Sequence, residues 1–136
     1  MQLEIVEVHN ETLELAYAIA RVVYAETIAT SLCVVEALTS MIANATHGNH
    51  KSIRTFISDK NIFESLCFES QHHKYLSVPA SQKDFQMCVR VATRMLHGFL
   101  PDSCNHATMF HRSELMPNWA ISRGYVADID GILFYA

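Results

Sequence analysis

The chain reads as a small α+β domain, a helical bundle first and a short antiparallel sheet built from its C-terminal part. Three observations predict this. Apolar residues recur at helical spacing as far as Leu96, whereas beyond Pro101 they fall in short, aromatic-rich runs bounded by turn residues. No repeat, low-complexity tract or linker interrupts the sequence, so residues 1–136 form a single domain. Half of the residues are apolar and only 18% are charged, too apolar a chain for disorder. A chain of 136 residues removes roughly two-thirds of its unfolded surface from water and needs neither metal nor disulfide to hold a core.

Taken in order, Asn10 is expected to cap a first helix whose opening turn carries Glu11 and Glu14, where carboxylates suit the positive dipole end. Leu15, Ile19, Val22 and Glu26 then fall at i, i+4, i+7 and i+11, so a carboxylate finishes an apolar stripe. Ser31 is expected to cap a second helix that turns Val34, Ala37, Leu38, Met41, Ile42 and Ala45 inward, ends before Gly48 and packs on the first. From Asn49 to Ser77 the apolar residues Ile53, Phe56, Ile57, Phe63, Leu66 and Phe68 lack sustained periodicity and predict turns lying over the core. Ser81 and Asp84 have capping-box spacing, and Phe85, Cys88, Val89, Ala92 and Leu96 repeat at helical spacing up to Gly98. Ala107 to His111 and Ile132 to Tyr135 predict two strands.

Ten Lys and Arg against 14 Asp and Glu leave a formal charge of −4, without the basic stripe that nucleic acid requires. No apolar run reaches the ~20 residues of a membrane span. The N-terminus lacks the basic and apolar regions of a secretion signal, so the expectation is action inside the cell, exit by another route, or origin from a longer chain. Cys33, Cys67, Cys88 and Cys104 form no CxxC pair and are expected to be buried, reduced thiols. Eight His are the one compositional excess, but His72, His73, His106 and His111 lack paired ligand spacing, and no metal or cofactor is expected. Cys104 with His106 or His111 lacks the orienting partner of a thiol nucleophile.

Glu26 is the first position to weigh for chemistry. Burial and the negative helix end both disfavour an ionised carboxylate, and a carboxyl that keeps its proton near neutral pH serves as a general acid. The competing reading ends the helix one turn earlier and leaves Glu26 solvated.

Ala20-Arg21-Val22-Val23-Tyr24-Ala25-Glu26 resembles the opening motif of the SleB-like cell wall hydrolase family, the spore cortex-lytic enzymes and their relatives. Val34 to Asn44 resembles the family's apolar helix ending in Asn, Ile62-Phe63-Glu64-Ser65 its Gln-Phe-Ser element, and Val91 to Gly98 its later helix end. Ala107 to His111, Trp119-Ala120 and Gly131 to Tyr135 resemble its aromatic tail, so the likeness spans roughly Leu15 to Tyr135. The family pattern Ala-Glu-x-x-Gly-Glu is broken, because Ala29 and Thr30 stand where it has Gly and the second Glu, and His106 stands where it usually has Gly.

The resemblance implies a lysozyme-like fold and cleavage of peptidoglycan glycan strands between N-acetylmuramic acid and N-acetylglucosamine, with Glu26 as the catalytic glutamate. One carboxylic acid suffices for a lytic transglycosylase: the muramic 6-hydroxyl attacks its own C1, and no second group has to position a water. A monomer acting on the cell wall is expected. Thr108, Phe110, His111, Trp119 and Tyr135 are the expected sugar-contacting residues, since aromatic rings stack on pyranose faces and hydroxyls or His bond N-acetyl groups. Strand alternation puts Thr108 and Phe110 on one face and Met109 and His111 on the other. The competing account makes Phe110, Trp119 and Tyr135 core. The alternative function is a non-catalytic relative that binds peptidoglycan or a partner protein, motivated by Thr30.

Overall fold

The computed structural model describes the backbone of residues 2–136 and the side chains from Glu11 onward. Four helices precede a three-stranded antiparallel sheet, the α+β arrangement that the sequence predicts. Helix α1 runs Gln2–Thr27, α2 Leu32–Thr46, α3 His50–Phe56 and α4 Lys83–Leu96. The strands are β1 Met109–Arg112, β2 Tyr125–Ile129 and β3 Ile132–Tyr135.

Helix α1 buries Leu15, Ile19, Val22 and Glu26 along one stripe and packs on both α2 and α4, most extensively on α4. Its backbone is helical from Gln2, so the helix does not begin at Asn10, whose side chain lies outside the described ones. Ser31 caps α2 as expected, accepting from the Val34 N–H, while its hydroxyl donates to Asp130. In α2, Ala45 is half-buried, at the edge of an otherwise buried stripe.

The cap of α4 is displaced by one residue. Gln82, not Ser81, accepts from the Phe85 N–H at 2.7 Å, because the longer amide side chain reaches the free N–H from that position. Between Asn49 and Ser77 the chain forms one two-turn helix, α3, and two short 3₁₀ turns, Glu64–Leu66 and His73–Ser77. Phe63 is fully buried there, edge-on to Phe56 at 5.6 Å and 5.3 Å from Phe110, and so joins this irregular segment to the sheet. Phe68 faces solvent and does not cover the core. Phe63, Phe85 and Phe134 anchor the core, each burial contributing about 1.5–3 kcal/mol.

Strand β3 is central, paired with β1 in the register Phe110↔Phe134 and Arg112↔Ile132, and with β2 across a tight hairpin. Asp130 and Gly131 form its two-residue loop at φ 48° and 83°, the doubly left-handed turn that Asp-Gly favours. Strand β2 is absent from the sequence reading: it is an exposed edge strand with a bulge between Tyr125 and Ala127, which blurs the two-residue period. Strand β1 begins at Met109, two residues later than expected. The turn before it, with Asn105 and His106 in left-handed geometry, is held by the Asn44 amide, which donates to Asp102 and to the Ala107 carbonyl. None of the described helices is long and apolar enough to cross a membrane.

Candidate active site

Glu26 sits in the last turn of α1 and is 2% exposed, which disposes of a solvated carboxylate. Its surroundings differ from the expected hydrocarbon shelter. One oxygen, Oε1, is bound by Arg112 Nη1, and Oε2 accepts the Ser65 N–H at 2.9 Å. Arg112 closes β1 on the same strand face as Phe110, which turns its guanidinium inward towards α1. That guanidinium meets two more carboxylates: Nη2 donates to Glu64 at the start of a 3₁₀ turn, and Nε donates to Glu114 at 2.7 Å. One cation therefore faces three anions from three separate segments.

The electrostatics follow from this arrangement. Burial opposes the charge on Arg112, but the Glu26 carboxylate and the bonds to Glu64 and Glu114 outweigh it and push the guanidinium above its ordinary value. Burial also opposes ionisation of Glu64, yet the Ser70 hydroxyl and Arg112 hold that carboxyl below the usual range. Glu114 behaves likewise, with Arg112 and a backbone N–H overcoming partial burial. His72 borders the group: its Nδ1 donates to the Ala25 carbonyl at 2.7 Å, leaving Nε2 facing Glu114 at 3.8 Å.

Glu26, Glu64 and Arg112 line an open cleft of about 390 Å³, within the range of small-molecule sites, together with Ile62, Phe110, His111 and Trp119. Two further hollows adjoin it. One, of about 270 Å³, is bordered by Thr27, Thr30 and Asp130, and the other, of about 400 Å³, by Glu69, Ser70 and Gln71. Arg112 lines all three, and Glu26 lines the main cleft and the smaller hollow.

Of the expected sugar-contacting residues, Phe110, His111 and Trp119 line the cleft. Phe110 is nonetheless 2% exposed and packed on Phe63, so it shapes the wall from within the core. His111 donates from Nδ1 to the Arg112 carbonyl and accepts at Nε2 from the Tyr135 hydroxyl, both at 2.8 Å. Trp119 stands edge-on to His111 and Tyr135, half-buried, with the Arg123 guanidinium 6.0 Å from its ring. Thr108 and Tyr135 are not in the cleft lining. The Thr108 hydroxyl accepts from Arg123 instead, and Tyr135 is buried beneath His111 as its hydrogen-bond and stacking partner.

The residues of the opening motif acquire physical roles. Arg21 donates to the Leu76 and Val78 carbonyls and lies over the Phe85 ring, so it pins the segment before α4 onto α1. Ala29, where the family pattern has Gly, sits at φ 50° beside Ile28 at φ 47°, a left-handed pair of a kind that glycine adopts without strain. Thr30 is exposed. Among the described residues no three His, Cys, Asp or Glu side chains converge to hold a metal. The four cysteines are free. Cys88 and Cys104 are buried, whereas Cys33 is exposed and Cys67 half-buried, because Leu32 and Cys33 open α2 on its solvent side.

Arg112, Glu64, Glu114 and the Ser65 N–H were not singled out from the sequence. A signal existed for Arg112: the alternation that places Phe110 on the core face places residue 112 there too, and a buried Arg demands a buried anion. Glu64 lies in the Ile62-Phe63-Glu64-Ser65 segment noted above for its resemblance to a family element, whereas nothing in the sequence singles out Glu114. Comparisons with protein-family models, with curated proteins and with solved structures find no match to this chain.

Proposed function

We propose that this protein cleaves the glycan strand of peptidoglycan between N-acetylmuramic acid and N-acetylglucosamine as a lytic transglycosylase. The single observation that carries the reading is a buried glutamate, Glu26, lining an open cleft with an aromatic wall and further hollows alongside, a shape suited to a polymer that passes through. The motif resemblance from Leu15 to Tyr135 supports the same substrate.

In this reading Glu26 protonates the glycosidic oxygen as the C1–O bond breaks. It then takes the proton of the muramic 6-hydroxyl as that oxygen closes on C1 to give a 1,6-anhydro end. The acid step requires Arg112 to release Glu26 Oε1. Its bonds to Glu64 and Glu114 keep the guanidinium compensated when it does. The Ser65 N–H keeps the carboxyl aimed through its second oxygen.

The test is digestion of purified sacculi followed by mass spectrometry of the soluble products. Anhydromuramic ends are expected, reducing ends would signify hydrolysis, and Glu26→Gln is expected to abolish release while the protein stays folded. A second reading, a binder that does not cut, is favoured by the occupation of both Glu26 oxygens in the resting site. Such a protein co-sediments with cell walls and leaves their turbidity unchanged.

A further inference from the structure

Glu26 and Glu64 line the same cleft and share one guanidinium, yet they are held differently. Glu26 is buried with both oxygens engaged. The Glu64 side chain is 36% exposed, and its bonds converge on one atom: Oε1 accepts from Arg112 Nη2 and from the Ser70 hydroxyl, the latter at 2.5 Å. Among the described residues no hydrogen bond is found to Glu64 Oε2. A carboxylate anchored through one oxygen, with the other uncommitted at a cleft, is a fixed negative charge available to a ligand.

From this geometry we infer that Glu64 is a second catalytic carboxylate, which stabilises the positive charge that develops on the sugar ring while Glu26 handles the proton. The inference rests on the proposed glycan cleavage and deepens it, because the one-carboxylate scheme gives Glu64 no part beyond holding Arg112. The balance is simple. The Glu26 proton goes to the glycosidic oxygen, the C1–O electron pair leaves with that oxygen, and the ring becomes oxocarbenium-like. Attack by the 6-hydroxyl oxygen then quenches the charge and returns a proton to Glu26. Glu64 stays ionised throughout and forms no bond, and its value lies in being oriented before the charge appears.

The contrast between Glu64→Gln and Glu114→Gln tests this, since both side chains bind Arg112 but only Glu64 lines the main cleft. Glutamine still accepts a hydrogen bond from the guanidinium, so a role confined to holding Arg112 would cost the two variants alike. The expected result on sacculi is a fall in kcat of about 10- to 100-fold for Glu64→Gln with little change in KM, and a much smaller fall for Glu114→Gln. A cationic iminosugar analogue of N-acetylmuramic acid is expected to bind Glu64→Gln about tenfold more weakly than wild type, while the uncharged sugar binds both equally. Active wild-type protein with a loss under tenfold in Glu64→Gln, or one matched by Glu114→Gln, overturns the inference and leaves the cleavage reading standing. A wild-type protein that releases nothing from sacculi overturns both.

Discussion

Replacing Arg112 with Met removes the cation that binds the three carboxylates while keeping a side chain of comparable length. Its Glu26 partner has 1% of its side-chain surface exposed and Arg112 itself 5%, so the pair is shielded from water. Deleting one member of such a pair leaves an uncompensated buried charge and costs about 3–5 kcal/mol. Glu64 and Glu114, 36% and 57% exposed, are screened and each add at most about 1 kcal/mol. An unfolding entropy of about 2.1 cal/mol/K per residue over 136 residues gives about 0.29 kcal/mol/K, so Tm is expected to fall by about 10–17 °C at pH 7. Urea denaturation and calorimetry read this directly. The pH dependence carries a sign. Glu64 and Glu114 titrate below their ordinary 4.5 in the fold, so the stability they contribute is present at neutral pH and is lost as pH falls below that value. The gap between wild type and Arg112→Met is therefore widest at pH 7 and narrows as the carboxyls take up protons. A cost below about 1 kcal/mol at pH 7, or a gap that stays constant down to acid pH, refutes the account of Arg112 as the compensating charge.

Three other outcomes are expected. Ala29→Gly removes a left-handed strain of about 1–2 kcal/mol at the cost of about 0.5–1 kcal/mol of chain entropy, so a net gain of about 0.5–1 kcal/mol in denaturant titration is expected. Trp119→Ala is expected to weaken glycan binding by about 1–2 kcal/mol, read as a rise in KM of about 5- to 30-fold with kcat less affected. Burial pushes the Cys88 and Cys104 thiols up to about 12, so a disulfide reagent at pH 8 is expected to label exposed Cys33 at once and these two only after unfolding.

Much of the bundle was legible because its signals are local. The stripe from Leu15 to Glu26, the Ser31 cap and the repeat from Phe85 to Leu96 each depend on neighbours within a few residues, and each is in place. The aromatic tail was half legible. Phe110, His111 and Trp119 reach the cleft, but Tyr135 is spent on supporting His111 and Thr108 on Arg123, choices made by contacts across the sheet. The edge strand β2 was missed because its bulge and exposure erase the alternation by which a strand is recognised.

By itself the sequence put residue 26 on the helical stripe of residues 15, 19 and 22; that the helix runs far enough to bury this carboxylate was decided by the structure. What meets that carboxylate was decided only by tertiary structure: Arg112 is 86 residues away and the Ser65 N–H 39 away. The reason is physical. Periodicity is a property of one element and is written locally, whereas compensation of a buried charge can come from any segment that the fold brings within hydrogen-bonding reach.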